Sequence, residues 1–98
     1  MAYHFRGNIN GTVVSEAMSL PMVINSFSLV NRAASGVVVN VYLISGASQV
    51  AIMPFNQALT VSQMYEGTRE VVMLAAEQIK VQTNGSVDYD FTIENLNP

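Results

Sequence analysis

From Val87 to Glu94 the residues alternate without a break. Val87, Tyr89, Phe91 and Ile93 are apolar, and Asp88, Asp90, Thr92 and Glu94 stand between them. Successive strand side chains point to opposite faces, so this run carries one apolar and one wet face. Upstream, Ile79, Val81 and Thr83 alternate with Lys80 and Gln82 in the same way. Asn84-Gly85 separates the two runs, and this dipeptide suits a type I′ turn, whose two central residues need φ > 0. Residues Glu77 to Leu96 therefore read as a closing β-hairpin.

The rest of the chain speaks the same language. Met22 to Asn31 places Val23, Asn25, Phe27 and Leu29 on one face, with Ser26 and Ser28 opposite. Gly36 to Ile44 has high β propensity, with Val37, Val39, Val41 and Leu43 on one face. Its other face holds Val38, Asn40, Tyr42 and Ile44, a pattern that suits a central strand or one whose outer face meets a partner. Gln49 to Met53 reads as a short strand stopped at Pro54, which cannot donate to a ladder. Ser45 to Ser48 and Glu66 to Thr68 are turns, and Thr60 to Tyr65 suits a single helical turn. Arg69 to Leu74 is a further strand. No segment sustains a 3.6-residue apolar stripe, which decides against a helical fold. The expectation is an all-β chain: a single antiparallel β-sandwich, immunoglobulin-like or jelly-roll-like, of about seven to eight short strands.

Residues 1–21 differ from residues 22–98, which form the expected sandwich domain. Gly7, Asn8, Asn10 and Gly11 interrupt any steady period around Tyr3 to Ile9, and Pro21 closes the segment. It reads as an N-terminal arm or an edge strand. As an arm, its Tyr3, Phe5, Ile9 and Val13 would add a strand to another copy's sheet edge.

Composition sharpens this. The chain of 98 residues is 50% hydrophobic and 11% charged, whereas soluble domains carry about 25% charged residues. Interface cores are depleted in charge, so a multi-copy assembly is expected. The candidate interface residues are Tyr3, Phe5, Ile9, Val13, Val38, Tyr42 and Ile44. Four cations, Arg6, Arg32, Arg69 and Lys80, are scattered rather than gathered into a phosphate-binding stripe, and the net charge is −3; nucleic acid is not an expected partner. No apolar run approaches the ~20 residues of a membrane-spanning helix, and no apolar segment follows His4 and Arg6 as in a signal peptide. No membrane partner is expected, and the mature chain is expected to begin at Met1 or Ala2. There is no cysteine, hence neither a disulfide framework nor a thiolate metal site.

Chemistry-bearing groups are few. His4 stands alone, and an exposed or interface histidine is its default reading. Asp88, Asp90 and Glu94 share a strand face, but they lack the loop and carbonyl ligands that calcium favours. A solvated sheet face looks the same. Motifs of a nucleophile elbow, a phosphate-binding loop or a zinc-binding H-E-x-x-H are absent. No catalytic residue, metal, cofactor or small-molecule substrate is expected.

One longer pattern runs from Ile24 to Asn95. It comprises Asn31-Arg32-Ala33-Ala34-Ser35, Val37 to Leu43, Ile52-Met53-Pro54-Phe55-Asn56-Gln57-Ala58-Leu59, the turn at Glu66-Gly67, Val71 to Val81 and Ser86 to Ile93. This resembles small β-sandwich proteins found among the virion components of tailed bacteriophages. Glu77-Gln78 departs from the pattern, where Gly or Asp is common. The resemblance implies packing and turn residues only, with no active site. It implies a non-enzymatic structural protein of a phage virion, made in the bacterial host cytoplasm. Many copies would assemble with one another and with other virion proteins at the head–tail connection, the tail or the capsid surface. The competing expectation is a small carbohydrate- or receptor-binding module, for which Tyr42, Tyr65 and Phe55 are the available aromatics; there is no Trp.

Overall fold

A computed structural model describes residues 2–96 and contains ten strands. They are β1 (Ala2–Ile9), β2 (Thr12–Val14), β3 (Met22–Asn31), β4 (Val37–Ser45), β5 (Ser48–Ala51), β6 (Gln57–Leu59), β7 (Met64–Gly67), β8 (Val71–Met73), β9 (Gln78–Thr83) and β10 (Val87–Asn95). All pairings are antiparallel, in two sheets. The front sheet runs β1-β10-β3, with β7 and β8 both alongside β3. The back sheet runs β2-β9-β4, with β5 and β6 both alongside β4. Two interrupted lanes thus turn ten strands into eight lanes, four per sheet. The chain changes sheet at every connection except β4–β5, β5–β6 and β7–β8. That is a jelly roll, so of the two sandwich types open to the sequence, this is the one formed.

The core lies between the sheets. β4 contributes Val37, Val39, Val41 and Leu43, β9 contributes Ile79 and Val81, and β10 contributes Val87, Tyr89, Phe91 and Ile93, all buried. The back sheet meets the core with aliphatic side chains. The front sheet meets it with a row of rings: Phe5 and Phe91 have centroids 5.7 Å apart, Phe91 and Phe27 stack at 4.9 Å, and Phe27 and Tyr65 lie 6.0 Å apart. Glycines make room for these rings. Gly67 is cross-strand partner to Phe27, and a Cβ there would fall 2.2 Å from the ring. Gly7 is likewise partner to Tyr89, with 3.0 Å to its hydroxyl.

The closing hairpin is corrected. Its two strands exist where expected, but β9 pairs with β2 and β4 while β10 pairs with β1 and β3. Asn84-Gly85 therefore bridges two sheets, and neither residue has positive φ. Asn84 is still bound to β4: its Oδ1 accepts from the Val38 amide at 2.7 Å, and its amide donates to the Val38 carbonyl. Gly85 is needed for space, since a Cβ would lie 2.5 Å from Val37 Cγ1. Both strands must turn their apolar faces to the same core. Placing one in each sheet does so from opposite directions. The hairpin that does form is β4–β5, where Gly46 at φ 60 occupies the first central position between Ser45 and Ser48.

Three smaller expectations also change. A bulge in β3 shifts the register between Thr92↔Ser26 and Ile93↔Ile24, leaving Asn25 as the extra residue. The apolar phase flips there, so Ile24, not Val23, is buried alongside Phe27 and Leu29. Thr60 to Tyr65 forms no helical turn: Thr60 and Gln63 close a turn through the Gln63 amide and Thr60 carbonyl, and Met64 already begins β7. The strand expected over Arg69 to Leu74 contracts to β8, Val71–Met73.

Candidate interaction surface

Directly paired residues share a face, so the register assigns each sheet's outer surface. Outside the front sheet lie His4, Arg6 and Asn8 of β1, Asp88, Asp90, Thr92 and Glu94 of β10, Ser26, Ser28 and Val30 of β3, and Met64 and Glu66 of β7. Five ionic side chains sit there: Arg6, Glu66, Asp88, Asp90 and Glu94. Two of the carboxylates, Asp88 and Asp90, lie beside groups of their own chain. Asp88 accepts from Asn8 Nδ2 at 2.8 Å and lies 3.7 Å from Arg32 Nε. His4 Nδ1 is 3.7 Å from Asp90 Oδ1, an oxygen shielded from solvent with no hydrogen-bond donor. Among the described residues, no group of three His, Cys, Asp or Glu side chains is arranged to hold a metal ion.

The outer face of the back sheet is different. It presents Thr12 and Val14 of β2, Gln78, Lys80 and Gln82 of β9, Val38, Asn40, Tyr42 and Ile44 of β4, and Gln49 and Ala51 of β5. Lys80 is the one ionic side chain among these, and its ammonium sits 5.6 Å from the centroid of the Tyr42 ring. Tyr42 is only 8% exposed. Asn40 and Asn56 hold the β5–β6 loop over this face: the Asn56 amide donates to Asn40 Oδ1 at 2.7 Å, and Asn40 Nδ2 donates to Asn56 Oδ1 at 2.9 Å. Phe55, 67% exposed, is presented by that loop.

The residues expected at an interface fall into two groups. Tyr3, Phe5, Ile9 and Val13 lie on the outermost strands β1 and β2, half-buried and packed against their own subunit's core. Val38, Tyr42 and Ile44 stand together on the outer face of the back sheet. Of the aromatics considered for sugar stacking, Tyr42 and Phe55 line one shallow groove with Asn40 and Asn56, while Tyr65 belongs to the front sheet beside Phe27. With its ring covered, Tyr42 offers no open face for stacking.

On the β5–β8 side, sequence reasoning singled out only the aromatics Phe55 and Tyr65. Val50, Phe55, Val61, Met64 and Val72 are all exposed on it or at its ends. A cleft of about 490 Å³ opens there between the sheets, lined by Ile52, Tyr65, Glu66 and Arg69 among others. The signal was present as apolar residues in a stretch with no steady period.

The fold has known counterparts. A pentameric capsid protein from metagenomic phage sequences matches with a TM-score of 0.56 at 12% identity, covering 95% of this chain and 62% of that one. The Drosophila NLP core, whose structure concerns pentamer formation and histone binding, matches at 0.57 with 11% identity over 100% of both chains. Infectious bursal disease virus, Gx strain, matches at 0.50 with 10% identity, over 99% of this chain and 31% of that one. This chain thus spans less than two thirds of the phage capsid protein. At these identities the likeness is one of fold. No protein-family model matches the chain, and no curated protein does.

Proposed function

We propose that this chain is a non-enzymatic structural protein of a bacteriophage virion, present in many copies. The observation that carries the reading is the jelly roll with one outer face nearly free of ionic groups. Jelly rolls are a recurrent capsid architecture, and charge depletion is the mark of interface cores. Two pentameric proteins share the fold, which supports assembly of this chain with itself. The solvent-accessible surface of 5454 Å² is about that of a free compact monomer of this mass, ~5,500 Å². Each subunit is thus compact by itself, and in this reading copies meet through preformed surfaces.

In this reading Val38, Tyr42 and Ile44 face other virion components, and the β1–β2 edge with Tyr3, Phe5, Ile9 and Val13 meets a neighbouring copy. Residues 1–21 act as a contact edge, and residues 22–98 as the sandwich body. The particle position is the capsid surface, the head–tail connection or the tail, after synthesis in the bacterial cytoplasm. Quantitative peptide mass spectrometry of purified particles tests this. The chain should be found in many copies per genome. Its presence in the lysate and absence from purified particles would overturn the reading.

A further inference from the structure

We infer that copies of this chain join side by side, all the same way up, with the β1–β2 side of one copy against the β5–β8 side of the next. The inference rests on the multi-copy reading above and names the two surfaces it needs. Strand direction supplies the first argument. Each sheet has four antiparallel lanes, so its two edge strands run in opposite directions. A second copy brought alongside without inversion therefore sets β1 antiparallel to β7, and β2 antiparallel to β5.

Register supplies the second. Arg6, Asp90, Ser28 and Glu66 form one unbroken cross-strand row on the outer face of the front sheet. Arg6 ends that row at one side and Glu66 at the other. Rotation about an axis parallel to the strands moves nothing along them, so each copy's Arg6 arrives at the height of its neighbour's Glu66. Neither has an ion-pair partner within its own chain among the described residues. The adjacent row ends in Asn8 and Met64. In the back sheet, the row Val14-Lys80-Tyr42-Ala51 brings the half-exposed Val14 to the small Ala51.

Charge separates this arrangement from the alternative. A two-fold contact between like sides keeps Arg6 and Glu66 on different interfaces, so neither meets the other, whereas unlike sides pair opposite charges. Unlike-side contacts repeat, and they form a ring when the rotation closes. Pro54 and the Thr68–Glu70 segment interrupt the receiving edges, so side chains rather than a continuous ladder carry the contact. Val50, Met64 and Val72 supply exposed apolar surface on the receiving side. The half-buried rims of Tyr3, Phe5 and Ile9 supply it on the other.

Sedimentation velocity on the full chain tests this, with circular dichroism as the check of folding. Arg6→Glu and Glu66→Arg should each weaken assembly about tenfold or more, since juxtaposed like charges are costly. The double charge swap should restore it. Because the chain has no cysteine, Asn8→Cys with Met64→Cys gives a second measurement: oxidation should link neighbouring copies covalently. Single variants that assemble like the wild type, a double swap no better than either single, or cross-linking by Met64→Cys alone would each overturn the inference while leaving the multi-copy reading standing. A wild-type chain that is monomeric at every concentration would overturn both.

Discussion

The two sheets are alike in plan and unlike in chemistry, inside and out. Each is four antiparallel lanes wide. The front sheet packs rings inward and displays ions outward; the back sheet packs branched aliphatics inward and displays amides, valines and one lysine outward. The wet front face can stand in solvent as it is, and the back face gains most from being covered. In a small protein with 11% charged residues, the two sheet faces thus share their ions unequally, five on the front and Lys80 alone on the back.

The largest expected effect separates the two inner faces. Phe91→Ala removes the ring at the centre of the aromatic row and should cost about 3–5 kcal/mol in a denaturant titration. Val41→Ala at the matching depth of the back sheet should cost nearer 2 kcal/mol, two methyl groups' worth. Equal losses would break the contrast.

Asn31 comes next. It is 1% exposed, and its Nδ2 donates to the carbonyls of Ser35, Leu59 and Thr60 while its Oδ1 accepts from the Ala33 amide. It ties the β3–β4 link to the β6–β7 link at one end of the sandwich. Asn31→Ala leaves buried backbone groups unpaired and should cost about 2–3 kcal/mol, whereas Asn31→Asp would show whether the donors matter more than the volume.

The two glycine–ring pairs at the edges of the front sheet should differ. Gly67→Ala drives a methyl into the Phe27 ring and should cost about 1–3 kcal/mol. Gly7→Ala meets only the hydroxyl end of Tyr89, so its cost should be the smaller of the two. A reversed order would mean that β1, not β7, is the more rigid edge.

Outer-face substitutions should barely move stability. Asp88→Asn breaks an exposed pair with Arg32 and should cost about 0–1 kcal/mol, less at high salt. Val38→Asp on the back face should leave the midpoint of unfolding nearly unchanged yet weaken assembly, which sedimentation would read. The smallest effect is a pH slope. Burial, and secondarily the nearby Tyr3, push the Tyr89 hydroxyl above its ordinary value of 10.0. The folded state then holds its proton longer than the unfolded chain does. Its contribution is complete below pH 10.0 and is lost as pH rises through the raised folded value. Tyr89→Phe should flatten the stability profile above that pH.

Much of the fold could be read from the residues. The alternation of Val37, Val39, Val41 and Leu43, and that of Val87, Tyr89, Phe91 and Ile93, named buried faces that are buried. What alternation lacks is a partner. The β9 and β10 runs carry a strong hairpin dipeptide between them and still go to different sheets, because pairing is decided by which strands lie on either side. The bulge at Asn25 was hidden for a related reason: a two-residue period says nothing about an extra residue that flips it. Exposed apolar residues on β5, β7 and β8 left no periodic trace, since neither of their faces is fully buried.

By itself the sequence determined that this chain would be all β, poor in surface charge and dependent on a core shared between two layers. Those properties follow from side-chain alternation and composition, which are local or summed. Only the tertiary structure decided that the sandwich is a jelly roll, that the front face carries more ions than the back, and that Arg6 and Glu66 end one row on opposite sides. Each of those depends on register between residues tens of positions apart, and no local preference encodes it.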